Sequence, residues 1–580
     1  PADVRLGHLK DLDGYFPFQV AANPQEWEVR AEKVRRQMRV ALGIWPMPTR
    51  APLKPVIHGA IDMGDYTVER VYFESVCGLY VTGNLYRPKG KSGKLPGVLF
   101  PHGHWNDGRF HDSGLQTVRN EIFVGGERFE DGGRSPLQSM CVGACRLGCV
   151  VFHYDMIGYA DSTQISFDLG HRFARQRPEM NTLENWGLYS TQAEANLQTV
   201  MGLQTINSIA ALDFLASLND VDPNRIAVTG ASGGGTQTFI LGALDPRPAI
   251  AFPAVMVSTA MQGGCTCENC SLLRIDTGNV EFAALFAPKP QGLTTANDWT
   301  LEMPSKGFPE LAQHYAMMGA KGKVELFAMP HFGHNYNYVS RMRFYQFVNR
   351  HFQLGLPEPI IEADYKRLTR EQMTVWNNEH PQPPSGPEFE RKLLRCLKED
   401  VDTQLAALAP TSAEQLKKFR DVVGGALEAI FIREFPGAKD LTYDQRVKVD
   451  FGDYILMEGL IRQERYGEET PVAFFYPKNW NKKVVIGVSS QGKSRLFENG
   501  KPRQEIKTLL AQGFCVAAPD LFLQGEFLQP GQKVEKTAKV ENPREFAGYT
   551  FGYNHTLFAQ RVHDLLRVIS FPKHHDRSPE

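Results

Sequence analysis

Short apolar runs alternate with longer stretches of helical spacing over most of this chain. In residues 24–43 apolar side chains recur every third or fourth position. Asn23 stands where an N-cap belongs and Pro24 lies in the first turn, so a helix is predicted there. The segment WPMPTRAPLKP then breaks it. From about residue 66 the period changes. TVERVYFESV and LYVTGNLYRP predict paired strands, GVLFPHG a short buried strand ending in a glycine turn, and CVVFHYD another, preceded by a helix from about 136. Residues 190–217 predict one long helix, RIAVTG a third buried strand, and the residues after ASGGG a further helix. Strands alternating with helices predict an α/β fold, a mostly parallel sheet with helices on both faces. The long polar stretches 106–135 and 160–190 are expected as insertions at the ligand end of that sheet.

Composition narrows the partners. The chain has 580 residues, 42% apolar and 22% charged, with a formal net charge of −1. This is the balance of a globular protein with no electrostatic pull toward nucleic acid or an anionic membrane. No apolar run reaches the roughly 20 residues that span a bilayer. The nine cysteines are an odd number, which excludes a full disulfide framework. Cys141, Cys145 and Cys149 would share one helix face as buried thiols. The chain opens Pro1-Ala2-Asp3 without methionine. Export to the periplasm or beyond is the expectation, with the cytoplasm as the alternative.

The strongest chemical signal is RIAVTGASGGGTQT. Gly230-Ala231-Ser232-Gly233-Gly234 fits G-x-S-x-G between a strand and a helix, the nucleophile elbow of an α/β-hydrolase. Its sharp turn needs small flanking residues and lifts the hydroxyl clear of the sheet. A serine needs a base, and in this fold acid and then histidine follow the serine in sequence. His334, in the loop after the strand VELFA, is the expected base, chosen over His314, His331 and His351. Asp298, at the end of the strand within PQGLTTANDWT, is the expected acid, with Glu268 as the alternate. Oxyanion donors are expected from the N–H of Gly233 and of His104 or Trp105. His102, Tyr159, Glu268 and Arg274 are candidate substrate-binding residues, Arg274 being alternatively an internal ion-pair partner. His102 with His104, and the cluster Cys265-Thr266-Cys267-Glu268-Asn269-Cys270, could each be read as metal ligands. Neither has a matching partner set in sequence, so no metal and no cofactor are expected, and the cysteines are read as a cleft wall.

Residues after 414 repeat the first half. Asp62-Met63-Gly64-Asp65-Tyr66 matches Asp450-Phe451-Gly452-Asp453-Tyr454, GVLFPHGH matches VIGVSSQGK, LGCVVFHYD matches QGFCVAAPD, and a helix near 205–217 matches one at 559–570. The order is the same throughout, which predicts a tandem duplication. The second copy reaches Glu580 before any elbow, and has Gln491-Gly492 where the first has His102-Gly103. It is expected to be an incomplete, non-catalytic α/β-hydrolase-like repeat, with the parent chain continuing beyond it or another segment completing it. The expected division is 1–65, an N-terminal helical segment packed on the hydrolase; 66–376, catalytic; 377–413, linker; and 414–580, the second copy.

Together, PHGHW, FHYDMIGYADS, VDPNRIAVTGASGGGTQT, GGCTCEN, NDWT and GHNYN make residues 25–355 resemble the bacterial acetyl xylan esterase-like branch of the α/β-hydrolases. The resemblance implies a cofactor-free serine esterase with Ser232, Asp298 and His334 as triad, acting on an acylated plant or algal polysaccharide; another small ester is the alternative substrate, and a homo-oligomer or association with a missing C-terminal segment is the expected partnership. Two other readings compete. A prolyl-oligopeptidase-like peptidase shares the elbow, but only about 65 residues precede the first strands, too few for the usual propeller. A non-catalytic binding module would not need the serine, acid and histidine in order.

Overall fold

The computed structural model describes residues 2–498 and 500–575. The chain forms two compact units. The larger comprises residues 11–426 and 541–553, the smaller residues up to 10, 427–540 and from 554 on.

The larger unit is built on a nine-stranded sheet. Its strands are β1 (Val56–Asp62), β2 (Tyr66–Val76), β3 (Leu79–Pro88), β4 (Leu95–Pro101), β5 (Val150–Tyr154), β6 (Val221–Ala231), β7 (Ile250–Ala254), β8 (Gln291–Thr295) and β9 (Val324–Ala328). Their order is β1-β2-β3-β5-β4-β6-β7-β8-β9. β1 to β3 form an antiparallel meander and β3 joins β5 antiparallel, whereas β5, β4, β6, β7, β8 and β9 run parallel. The carboxyl ends of the parallel strands therefore open on one rim, where the loops of an α/β sheet carry ligand chemistry.

Alternation along each strand divides the core. Val98, Phe100, Val151, Ala227 and Phe252 face helices 136–146 and 338–352, through Leu137, Met140, Cys141, Cys145, Phe344 and Phe347. On the opposite face Phe152 meets Phe214 of helix Val200–Ser217 edge to face at 4.7 Å. The thiols of Cys141, Cys145 and Cys149 are buried, as expected. Truncating a core phenylalanine such as Phe252 costs about 3–5 kcal/mol. The predicted helix at 24–43 spans Pro24–Ala41, and the Asn23 side chain accepts from the Glu26 N–H. The helix predicted over 190–217 is two. Leu197 adopts a left-handed backbone (φ 53°), and Thr199 caps the second helix by accepting from Gly202 N–H.

Residues 377–413 are not a linker, a correction to the sequence reading. They hold the helix Gly386–Ala406, whose Leu393 and Leu394 are buried in the larger unit. Cys396 in this helix is disulfide-bonded to Cys77, 319 residues away in sequence. Glu390 pairs with Arg177 at 2.6 Å, and Gln198 donates to the Leu394 carbonyl at 2.6 Å. The larger unit also takes a segment from far down the chain. Within 541–553, Leu272 and Arg274 donate backbone N–H groups to the carbonyls of Phe551 and Gly552 at 2.7 and 2.8 Å.

In the smaller unit, β10 (Thr442–Asp450), β11 (Tyr454–Gln463), β12 (Glu468–Pro477), β13 (Val484–Ile486) and β16 (Cys515–Pro519) form a sheet of order β10-β11-β12-β16-β13. A two-stranded ribbon, β14 (Phe497–Glu498) with β15 (Lys501–Pro502), lies between them in sequence. The order of this sheet is that of the first five strands of the larger one. Ile461, Val472, Phe474, Ala517 and Val568 form one of its cores.

Candidate active site

Ser232 lies between β6 and the helix Gly233–Leu244 with φ 59° and ψ −128°. A non-glycine residue held there is strained by about 1–3 kcal/mol, and such strain gathers at functional turns. Small neighbours make the turn sterically feasible. A Cβ on Gly230 or Gly234 would come within 2.3 or 2.2 Å of the Pro101 carbonyl oxygen, and one on Gly103 within 2.7 Å of the Ser232 Cβ. The end of β4 is thus pressed against the elbow. Ser232 donates its N–H to the Ala254 carbonyl (3.2 Å) and accepts from Thr236 N–H (3.0 Å), both through the backbone, and it is buried, 9% exposed.

On the β8–β9 side, His334 Nδ1 lies 2.8 Å from Asp298 Oδ2. A carboxylate only accepts, so Nδ1–H donates and Nε2 keeps its lone pair. The Thr300 N–H and hydroxyl donate to Asp298 Oδ1 at 2.7 and 2.5 Å, and Asn297 N–H donates to the Phe332 carbonyl, tying the two loops. Burial pushes the Asp298 carboxyl up, but the bonds from His334 and Thr300 outweigh it and hold it below its ordinary value. Trp299 lies against the His334 ring, centroids 4.6 Å apart. The other downstream histidines lack such a partner on this rim. His314 is buried between Phe18 and Trp27 and pushed down to about 4 by that burial, His331 lies tilted against Phe332, and His351 faces Glu325 at 4.0 Å.

The loop after β4 covers the elbow from the other side. Among the described residues, the backbone N–H groups of His104, Trp105 and Gly233 have no hydrogen-bond partner. The imidazole of His104 lies against the helix start, since a Cβ on Gly233 would fall 2.9 Å from its Cε1. His102 is fully buried, a correction to its reading as a substrate ligand. Its Nδ1 donates to the Gly103 carbonyl (2.8 Å) and its Nε2 accepts from Met156 N–H (3.1 Å). Burial lowers its pKa to about 3, so it is a neutral brace between two loops. Arg274 is corrected likewise. It is buried, donating to the Glu268 carbonyl (2.8 Å) and to Asn279 Oδ1 (2.9 Å), with no face toward a substrate. Glu268 is also buried, its carboxylate accepting from Cys265 N–H at 3.0 Å rather than meeting His334. Tyr159 is 5% exposed, its ring edge-on to His102 and 4.7 Å from that of His171.

The cysteine motif has partners that its sequence spacing did not reveal. Cys267 Sγ lies 3.1 Å from His104 Nε2, and Cys265 Sγ 3.3 Å from His171 Nδ1. The four ligand atoms all lie within 4.8 Å of one another. Cys270 is buried apart from them. Residues 541–553 brace these loops. Arg544 donates to the His171 carbonyl (3.1 Å), Tyr549 to that of Gly264 (3.2 Å), and Tyr553 to Asn269 Oδ1 (2.5 Å). Nearby, the fully buried Arg109 guanidinium binds Asp155 (2.9 Å), Asp161 (2.6 Å) and the Met373 carbonyl (2.8 Å), locking the insertion after β4 to the loop after β5.

A mostly parallel sheet, a serine on a strained strand-to-helix turn, and an aspartate–histidine pair on later strands of the same rim form the architecture of the α/β-hydrolases. No protein-family model matches the chain. It is 26% identical over 219 residues to YtaP of Bacillus subtilis strain 168, named as a hydrolase. The match covers 38% of this chain and 62% of YtaP, so the chain spans about three fifths of that relative's length. Among solved structures it is similar to methylesterase BT1017 (24% identity, TM-score 0.49, 69% of this chain and 78% of that one). It is also similar to a glucuronoyl esterase from Solibacter usitatus (14%, TM-score 0.38, 60% and 98%) and an acetyl xylan esterase from Paenibacillus sp. R4 (16%, TM-score 0.34, 58% and 97%).

Proposed function

We propose that the larger unit is a serine carboxylesterase that deacylates a carbohydrate, with an acetylated glycan as the first candidate substrate. The observation that carries this reading is the strained Ser232 on the rim that also bears the Asp298–His334 pair. In the reaction, Ser232 Oγ attacks the acyl carbonyl while His334 Nε2 takes its proton, and Asp298 stabilises the imidazolium. The oxyanion is held by the N–H groups of Gly233 and of His104 or Trp105. Collapse expels the sugar alcohol with the proton from His334. Water activated by the same base then releases the carboxylic acid and restores the serine.

The test is hydrolysis of p-nitrophenyl acetate beside a Gly-Pro anilide, followed by a screen of acetylated, feruloylated and methyl-esterified glycans. Ester turnover with an acyl-enzyme burst, and none on the anilide, is the expected result. Turnover of the anilide alone would favour a peptidase.

Two further readings go with this. The smaller unit repeats the first five strands of the larger, a reading supported by their shared order and by the matching segments around Asp62–Tyr66 and Asp450–Tyr454, and it has Gln491-Gly492 at the position of His102-Gly103. The protein works in an oxidising compartment such as the periplasm, which the Cys77–Cys396 bond favours. No helix among the described residues is long and apolar enough to cross a membrane.

A further inference from the structure

Three loops that are distant in sequence bring two imidazoles and two thiols to one point beside the elbow. His104 comes from the loop after β4, His171 from the end of the short helix Phe167–His171 after β5, and Cys265 and Cys267 from the loop after β7. The esterase chemistry proposed above uses none of these four side chains. A tetrahedral Zn2+ with two sulfur ligands at about 2.3 Å and two nitrogens at about 2.0–2.1 Å has ligand–ligand edges of about 3.3–3.8 Å. The two N···S contacts, 3.1 and 3.3 Å, lie within a few tenths of that, and the longest separation, at most 4.8 Å, asks for about an ångström of closure. The far side of His171 is also set for a ligand. Its Nε2–H donates to the Ile157 carbonyl at 2.7 Å, so Nδ1, which faces Cys265, keeps its lone pair. Cys267 is buried, as is His171, so an ion there would be shielded from water.

We propose that His104, His171, Cys265 and Cys267 form a closed structural Zn2+ site. Thiolate and imidazole together select zinc over the hard cations, and four protein ligands leave no open position for a substrate or a water. The ion therefore does not act as a Lewis acid on the ester. It cross-links the loops after β4, β5 and β7 and fixes His104. The backbone N–H of His104 or of its neighbour Trp105 is an oxyanion donor, a role that rests on the esterase reading. The four side chains are positioning residues, and zinc occupancy itself does not depend on any catalysed reaction.

The test starts with the metal content of the full chain purified without chelator. One zinc per chain is expected. After exchange with Co2+, the d–d bands of a tetrahedral ion and a thiolate-to-cobalt charge-transfer band are expected. His171→Ala and Cys267→Ser should lose the ion and the band, while Ser232→Ala keeps both and loses only ester turnover. In the zinc-free variants kcat should fall by on the order of 10- to 100-fold with little change in KM, as expected when a loop that orients an oxyanion donor is loosened. A reduced wild-type chain that takes up neither zinc nor cobalt overturns the site, whether or not the variants fold. So does a Cys265–Cys267 disulfide in the chain as purified. A well-folded, zinc-free variant with undiminished kcat overturns the positioning role. Zinc bound to a chain that hydrolyses no ester leaves the site standing and removes the esterase reading instead.

Discussion

The two flanks of Ser232 are built to opposite specifications. On the β8–β9 flank the His334 side chain keeps 29% of its surface exposed and its ring is held by one carboxylate at 2.8 Å. A base that must take, carry and return a proton needs a free nitrogen, which suits His334 to the role proposed for it. On the β4–β5–β7 flank the polar side chains are tied to one another or to the backbone. His102 bridges two loops, Arg109 is enclosed by two aspartates, and His104, His171, Cys265 and Cys267 converge on one another. That side presents backbone N–H groups, which work by staying still. On the proposed esterase reading, the contrast divides labour around one hydroxyl, with proton transfer assigned to the open flank and fixed dipoles to the locked one.

Substitutions on the two flanks should therefore fail differently. Ser232→Ala, at the point the flanks share, should lower kcat for p-nitrophenyl acetate by on the order of 10⁵–10⁶ while the circular dichroism spectrum is unchanged. Residual activity within a few-fold of wild type would remove the elbow from the account. Asp298→Asn should cost about 10³–10⁴ in kcat in a chain that stays folded, because the amide cannot stabilise the imidazolium. If Glu268→Gln cost as much at unchanged metal content, the acid would have to be reassigned. Arg109→Met, on the locked flank, should instead cost about 3–5 kcal/mol of stability by leaving Asp155 and Asp161 buried without their partner, read from denaturant midpoints. Replacing Cys77 and Cys396 together by serine should cost about 2–5 kcal/mol and leave kcat near wild type, since that bond lies on neither flank. A collapse of kcat in the folded variant would contradict this.

The smallest effect concerns pH. Asp298 is held below its ordinary value, so its ionised form stabilises the folded chain above the ordinary carboxylate range near 4. That contribution is lost as pH falls through the lowered value. Thermal midpoints of wild type and Asp298→Asn should therefore converge toward acid pH, and a constant gap down to the lowest measurable pH would contradict the assignment.

How much could be read from the sequence follows the same division. Ser232, Asp298 and His334 each stand just after a short apolar strand, and a parallel sheet brings such strand ends to one rim. Local pattern and the order of the three residues nominate them, and the structure adds the Asp298–His334 contact at 2.8 Å. The locked flank depends on which loops meet, and periodicity carries no signal for that. His171 lies in a polar insertion with nothing in its spacing to link it to Cys265, 94 residues on. His102 and Arg274 are polar residues beside the site, and their burial follows from loops folding over them. The helix at 386–406 was hidden by the proline-rich segment before it, and its tie to Cys77 spans 319 residues. Four matching segments are the sequence basis of the repeat proposed above, but they carry no sign that residues 541–553 belong to the larger unit.

The central claim is that one hydroxyl becomes nucleophilic at this elbow. Incubating the full chain with a fluorophosphonate and measuring its intact mass, followed by peptide mapping, tests it most directly. The account predicts a single adduct on Ser232, absent from Ser232→Ala and slowed in Asp298→Asn. An unlabelled wild-type chain, or an adduct on another residue, would contradict it.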